Sequence, residues 1–193
     1  MTMSVRLPVA CLVAICQLSA CADSQPVRYY TLTAIGAAGA ANSAGASGQI
    51  KIRLEPVTIP PELDRLQIVR RDGPYSVRIS DFDRWAAPLQ EQIRRTLSDD
   101  LTARMPAGLI VDPDEPPTSE PRRRLSVAIA AFSANDSCGS SLRAEWAVRA
   151  PGGEMEHGQQ QVQVAGDASC TGGVPAAMSA ALAQLADRLA AAL

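Results

Sequence analysis

LQIVRRDGPYSVRISDFDRWAAPLQEQIRRTLSDDLTARM, running from Leu66 to Met105, holds the two periodicities that decide the fold. Leu66 to Arg71 and Tyr75 to Ser80 are rich in β-branched and aromatic residues and flank Asp72-Gly73-Pro74, in which Asp-Gly supplies a tight turn, so this half predicts a β-hairpin. The period then changes. Leu89, Ile93, Leu97, Leu101 and Met105 recur every fourth residue, which predicts a helix from about Trp85 to Met105 with one apolar stripe. Glu91 with Arg95, and Arg95 with Asp99, add pairs four residues apart on its wet side. Pro88 is tolerated only in a first turn, so Asp81 or Asp83 is expected to cap the helix, with Phe82 and Trp85 tucked against the body. Pro106 and Gly108 stop it.

On either side of this unit the pattern is that of strands. Arg28-Tyr29-Tyr30-Thr31-Leu32 has strand composition, and Ile50, Ile52 and Leu54 alternate with charged residues until Pro56, Pro60 and Pro61 intervene. Between them residues 33–48, mostly Ala, Gly, Ser and Asn, read as a flexible loop. A polar loop from Asp112 to Arg124 leads to three more alternating runs, Leu125 to Phe132, Ser141 to Ala150 and Gln159 to Ala165. In the middle run Leu142, Ala144, Trp146 and Val148 mark the buried face. Met178, Leu182, Leu185, Leu189 and Leu193 restore helical spacing, with Pro175 suited to a first turn. Strands around a central helix (about 85–105) and a closing helix (about 175–193) predict a single α/β domain on a mixed sheet.

The N-terminus reads as a processed leader. Arg6 gives a weakly positive start, Leu7 to Leu18 form an apolar core too short to span a bilayer, and Leu18-Ser19-Ala20-Cys21 ends on a thiol that lipoprotein processing acylates. The expected organisation is a signal peptide over residues 1–20, a lipid anchor and short tether over 21–27, and one domain over 28–193. Covalent N-acyl and diacylglycerol groups on Cys21 would anchor the chain firmly. Ala22 rather than Asp follows the Cys, so the usual inner-membrane retention signal is missing and the outer membrane, facing the periplasm, is the expected location. A cleaved, non-lipidated secretory leader is the other reading of the same residues.

Composition bounds the partners and the chemistry. Removing residues 1–20 takes away one of 18 basic side chains, Arg6, leaving 17 against 20 acidic, which argues against nucleic acid. Of five cysteines only Cys138 and Cys170 belong to the folded body, and in an oxidising compartment they are candidates for one disulfide, with two unpaired thiols as the alternative. No metal site is expected, since the one histidine, His157, has no companion ligands. His157 lies in the Gly- and Gln-rich run Gly152 to Gln161, read as an exposed turn, so a catalytic base is not expected there and no catalytic residue is assigned. Cys138 as a nucleophile lacks the strand-to-helix elbow, and Gly172-Gly173 is no phosphate loop. Asp81 and Asp83 read as caps rather than an acid-base pair. Arg122-Arg123-Arg124 reads as a solvated run beside Asp112, Asp114, Glu115 and Glu120 rather than a lipid-headgroup site. The stripe Met178 to Leu193 reads as core. No cofactor beyond the covalent lipid is expected.

Three stretches together carry a resemblance. Tyr29-Tyr30-Thr31-Leu32 soon after Cys21, Leu63-Asp64-Arg65 with Gln67-Ile68-Val69-Arg70, and Phe82-Asp83-Arg84-Trp85 with Pro88-Leu89 resemble the PqiC-type ABC-transport auxiliary lipoproteins, a paraquat-inducible, membrane-integrity family. The similarity spans nearly all of the mature chain, with Ile59 to Leu101 its specific part. The chain departs from that pattern at Glu62, Leu66 and Ala87. The resemblance implies a three-layer α/β domain and a role beside transporters containing MCE-domain proteins, which move lipid, phospholipid in the expected case, between the two membranes. It implies a docking subunit without a reaction of its own, in a homo-oligomeric ring, receiving a periplasmic MCE protein and its inner-membrane ABC transporter. Asp64, Arg65, Gln67, Arg70, Phe82, Asp83, Arg84 and Trp85 would form its partner surface or a structural joint. In the joint, Arg65 or Arg84 would pair with Asp64, Asp81 or Asp83. Two other functions fit parts of the sequence: an outer-membrane assembly or scaffold lipoprotein unconnected with lipid transport, and a small periplasmic hydrolase relying on His157.

Overall fold

The computed structural model describes residues 25–36, 48–116, 118, 120, 122–135, 137–166 and 173–193; the leader, Cys21, most of the predicted loop and Cys170 lie outside them. In chain order the elements are β1 (Arg28–Tyr30), β2 (Ile52–Leu54), a 3-10 turn (Pro61–Leu63), β3 (Gln67–Arg71), β4 (Val77–Trp85), α1 (Leu89–Thr102), β5 (Ile110–Val111), β6 (Arg123–Ala134), β7 (Ser140–Arg149), β8 (Met155–Val164) and α2 (Gly173–Ala192). The mixed α/β class expected from the periodicities is the class observed, with the strands divided between two sheets. A three-stranded sheet has the order β1-β4-β3, and a five-stranded sheet the order β5-β2-β6-β7-β8. Each mixes directions: β1 runs parallel to β4 while β3 is antiparallel to it, and β2 is parallel to both β5 and β6 while β6, β7 and β8 form an antiparallel meander.

The long meander follows from its alternation. Leu125, Val127 and Ile129 on β6 share the buried face with Val148, Trp146 and Ala144 across the register. α2 packs against this face and against α1. The helix stripe is real: Leu89, Ile93, Leu97 and Leu101 are buried, and Met105, one turn beyond, donates its amide to Leu101 O at 2.9 Å and stays in the core. Leu182, Leu185 and Leu189 of α2 are fully buried in the same cluster, which also takes in Ile68 and Trp85 from the smaller sheet. Gly158 on β8 lies under Trp146, where a Cβ would come within 3.0 Å of the indole ring, so close strand-to-ring contact needs a residue without a side chain.

Several boundaries differ from the sequence expectation. The helix starts at Leu89 with Pro88 at its cap position and no side-chain cap. Asp81 and Asp83 are therefore not helix caps: β4 continues through Trp85, because Asp83, Arg84 and Trp85 find backbone partners in β1. The residue before a proline avoids the α region, which helps to fix this strand-to-helix break. On the wet side of α1, Glu91 pairs with Arg95 at 2.9 Å as expected, whereas Arg95 turns to Asp114 at 3.3 Å rather than to Asp99. His157 is not in a turn: β8 begins at Met155, His157 faces Ala147 in the ladder, and the turn spans Ala150–Glu154 with Gly153 at φ 93°.

Candidate functional site

The smaller sheet gathers the residues that carry the sequence resemblance. Across the β3–β4 pair, Val69, Arg70 and Arg71 oppose Ile79, Arg78 and Val77 in regular register, but Gln67 opposes Arg84. The segment Ser80–Asp83 is consequently a wide bulge in β4, and bulges re-aim side chains. Asp83 pins it: its amide donates to Ser80 Oγ at 3.0 Å, and Ser80 Oγ donates to Asp83 Oδ2 at 2.9 Å.

Asp83 is buried and is the hub of the sheet. Its Oδ1 accepts from Arg28 Nε at 2.8 Å and from Tyr30 Oη at 3.3 Å, and its Oδ2 accepts from Arg70 Nη2 at 3.3 Å. All three strands thus converge on one carboxylate. Burial by itself would raise its pKa, but the Ser80 hydroxyl and the Arg28 guanidinium, with Tyr30, hold the carboxyl below its ordinary value of 3.8. The expected pairing of Arg65 or Arg84 with the local aspartates is replaced by Arg28 and Arg70, since the bulge turns Asp83 toward β1 and β3.

Of the eight motif residues, Gln67, Arg70, Asp83, Arg84 and Trp85 come together on this sheet. Asp64 and Arg65 sit exposed in the link from the 3-10 turn to β3, and Phe82 is partly exposed on the bulge. Trp85 is core, its amide donating to Leu66 O. Tyr29, Arg84 and Gln67 are level with one another across β1, β4 and β3, forming a row with an exposed tyrosine at one end. Arg84 Nε is buried without a hydrogen-bond partner.

A second polar constellation was not anticipated. Residues 31–36, the entrance to the predicted flexible loop, are held by side chains from both helices. Leu32 N donates to Gln92 Oε1 at 2.9 Å, Thr33 N to Ser179 Oγ at 3.1 Å, and Ile35 N to Asp100 Oδ1 at 2.9 Å. Gln92, Thr96 and Asp100 recur every fourth residue beside the apolar stripe, and that spacing was the available signal. Asp100 is fully buried, with Arg104 Nη1 at 3.1 Å, and Arg104 Nε reaches Asp187 at 2.6 Å. Burial pushes the Asp100 carboxyl up to about 6 against the opposing pull of Ile35 N and Arg104.

The remaining candidates resolve simply. Cys138 is disulfide-bonded; its expected partner Cys170 lies outside the described residues. Arg122 pairs with Glu115 at 2.6 Å, as its acidic neighbours suggested, but its side chain is largely buried rather than solvated, while Arg123 and Arg124 begin β6 with Arg124 still exposed. His157 is exposed on its strand. Among the described residues no group of three or more His, Cys, Asp or Glu gathers as a metal site, and no helix is long and apolar enough to cross a membrane.

Comparison with known proteins adds the family. A model for a family described as "ABC-type transport auxiliary lipoprotein component" matches residues 30–190. A crystal structure of an uncharacterized protein superposes with a TM-score of 0.67 at 18% identity, over 86% of this chain and 97% of that one. The crystal structure of protein XCC0632 from Xanthomonas campestris superposes with a TM-score of 0.61 at 12% identity, over 84% of this chain and 91% of that one. Identities this low show a shared fold. No curated protein matches the chain.

Proposed function

Because the chain belongs to the family of ABC-type transport auxiliary lipoprotein components, we propose that it is a non-catalytic docking subunit, anchored through acylated Cys21 to the outer membrane and facing the periplasm. It receives the periplasmic MCE-domain component of an ABC system that moves phospholipid between the two membranes, as one copy in a ring of identical subunits. The anchor reading rests on the Leu18-Ser19-Ala20-Cys21 box. The lipid cargo, the MCE partner and the ring rest on the resemblance of the Tyr29, Asp64 and Phe82 stretches.

The observation that carries the docking role is the Tyr29–Arg84–Gln67 row. Its central Arg84 is half-buried and forms no ion pair among the described residues, while the neighbouring Asp83 is fully engaged in holding the sheet together. Stability and recognition are thus divided between adjacent residues of one strand. An Arg presented on a rigid sheet is a typical interface anchor.

The test is affinity purification of the tagged protein from detergent-solubilised envelope, with Arg84→Ala and Cys21→Ser beside wild type. Wild type is expected to carry an MCE-domain protein and its inner-membrane transporter. Arg84→Ala is expected at normal abundance and melting temperature but without them. Arg84→Ala melting early would assign the residue to structure, and recovery of only barrel or cell-wall proteins would favour the scaffold function.

A further inference from the structure

The β3–β4 hairpin exposes several large apolar side chains near its tip. Tyr75 at the turn is 100% exposed, Val77 55% and Ile79 43%, at a tip where Arg71 and Arg78 stand beside Asp72, while Arg70 pairs with Asp83 and Asp81 lies on the same strand. Val77 and Ile79 are two residues apart on one strand and so share a face. Arg78 pairs with Asp72 at 3.0 Å, and Arg71 Nη1 donates to Pro74 O at 3.4 Å, which keeps the turn folded while leaving the tyrosine outside. Clustered apolar side chains of this kind mark an interaction surface.

The topology says which one. β1 is parallel to β4 and pairs only with its last three residues, Asp83 to Trp85, so the chain upstream of Arg28 leaves toward the hairpin tip. Seven residue steps separate Cys21 from Arg28, a reach of at most about 25 Å. Six steps of β4 separate Asp83 from Val77, at most about 20 Å of strand. An acyl chain on Cys21 could therefore reach the level of the tip.

We infer that the Tyr75–Ile79 hairpin is a second membrane contact, seating its apolar side chains in the headgroup and upper acyl region of the leaflet to which Cys21 is anchored. Tyrosine suits that boundary, with an apolar ring and a polar tip, and arginines reach headgroup phosphates while their stems stay in apolar surroundings. Tethering supplies the membrane at high effective concentration, so a small patch suffices. Two contacts, one through the lipid on Cys21 and one on a sheet, would fix the orientation of the Tyr29–Arg84–Gln67 row relative to the membrane, which the lipid alone cannot do.

The inference rests on the anchor reading, and the experiment separates them. Full-length protein purified from membranes is checked by mass spectrometry for acylation of Cys21. It is then reconstituted into phosphatidylethanolamine–phosphatidylglycerol vesicles containing acyl-chain-brominated lipid, with Tyr75→Trp as the probe and Met155→Trp, exposed on the other sheet, as the control. Trp85 and Trp146 are buried and give a common background that wild type subtracts. The expected result is blue-shifted, quenched emission from position 75 and none from 155. In a Cys21→Ser background, Tyr75→Ser with Ile79→Ser is expected to weaken partition into the same vesicles by about tenfold or more.

Acylated protein with an unquenched, water-like tryptophan at 75 overturns the membrane contact and leaves the anchor standing. Absence of acyl mass on Cys21 overturns both. Burial of position 75 only when a periplasmic protein is added assigns the tip to that protein and overturns the lipid assignment.

Discussion

Arg28 Nε donates to Asp83 Oδ1 at 2.8 Å, and its Nη2 lies 2.7 Å from the same oxygen. This contact joins β1 to β4, the strand that carries the motif, across 55 residues of sequence. The carboxylate is almost wholly buried while the arginine side chain is 57% exposed, so the two partners are not equivalent. Removing Asp83 takes away one shared acceptor from Arg28, Arg70 and Tyr30 and frees the bulge. Asp83→Ala is expected to cost about 2 kcal/mol or more, whereas Arg28→Ala, an exposed partner, costs about 1 kcal/mol or less. Urea denaturation of the two variants reads the difference, and equal losses would reject the hub role. The lowered pKa of Asp83 has a definite sign: its contribution is present at neutral pH and is lost as pH falls below the ordinary value of 3.8.

Gly158 gives a packing test. A methyl group at this position would meet Trp146 ring atoms at 3.0 Å, and Trp146 is held from behind by the core, so the ring has little room to retreat. Gly158→Ala is expected to destabilise by about 1 to 3 kcal/mol despite the better strand propensity of alanine. The double variant Gly158→Ala with Trp146→Phe should recover part of the loss, relative to Trp146→Phe alone. A Gly158→Ala melting temperature equal to wild type would show that the ring yields.

Cys138 sits in the turn between β6 and β7, where its φ of 55° is unusual for a residue with a side chain. The turn is closed locally as well: Asn135 Oδ1 accepts from Ser137 N at 3.1 Å and from Gly139 N at 2.9 Å. Pairing with Cys170 would close a loop of 33 residues. Cys138→Ser is then expected to lower stability by roughly 3 to 4 kcal/mol, and unreduced peptide mapping should recover a Cys138–Cys170 link. A different link, or none, would reject the pairing.

What the sequence made legible was whatever is periodic and local. The Asp72-Gly73 turn, the Leu89 to Met105 stripe and the alternation of Leu142, Ala144, Trp146 and Val148 each depend on neighbours a few residues away, and each is found in the structure. The Asp83 hub could not be read this way. An aspartate shortly before an apolar helical run fits a cap as well as a strand, and its deciding partner, Arg28, is distant in sequence. The division into two sheets is likewise a matter of long-range pairing. β5, only two residues long, carries no pattern of its own. The row Gln92, Thr96 and Asp100 was visible as spacing, but polar residues beside an apolar stripe read as its wet margin until the segment 31–36 is seen covering them.

That segment yields the pH prediction. Asp100 is fully buried, faces Arg104 in the turn just past its own helix and Asp187 beyond it on α2, and accepts from Ile35 N, while its Oδ2 has no partner. Its carboxyl is raised to about 6 in the folded protein against 3.8 for the ordinary group, so the folded state binds this proton more readily than the unfolded chain. A group raised in this way contributes stability that is fully present below 3.8 and is lost as pH rises through about 6. Asp100→Asn keeps an oxygen for Ile35 N and removes the charge. Relative to wild type it is expected to gain on the order of 2 kcal/mol on passing from acidic to slightly alkaline pH. Denaturant titrations of both proteins on either side of pH 6 measure this, and hydrogen exchange at Leu32, Thr33 and Ile35 reports whether the segment loosens as Asp100 ionises. A stability difference between the two proteins that does not change with pH would mean that Arg104 keeps the carboxylate charged throughout.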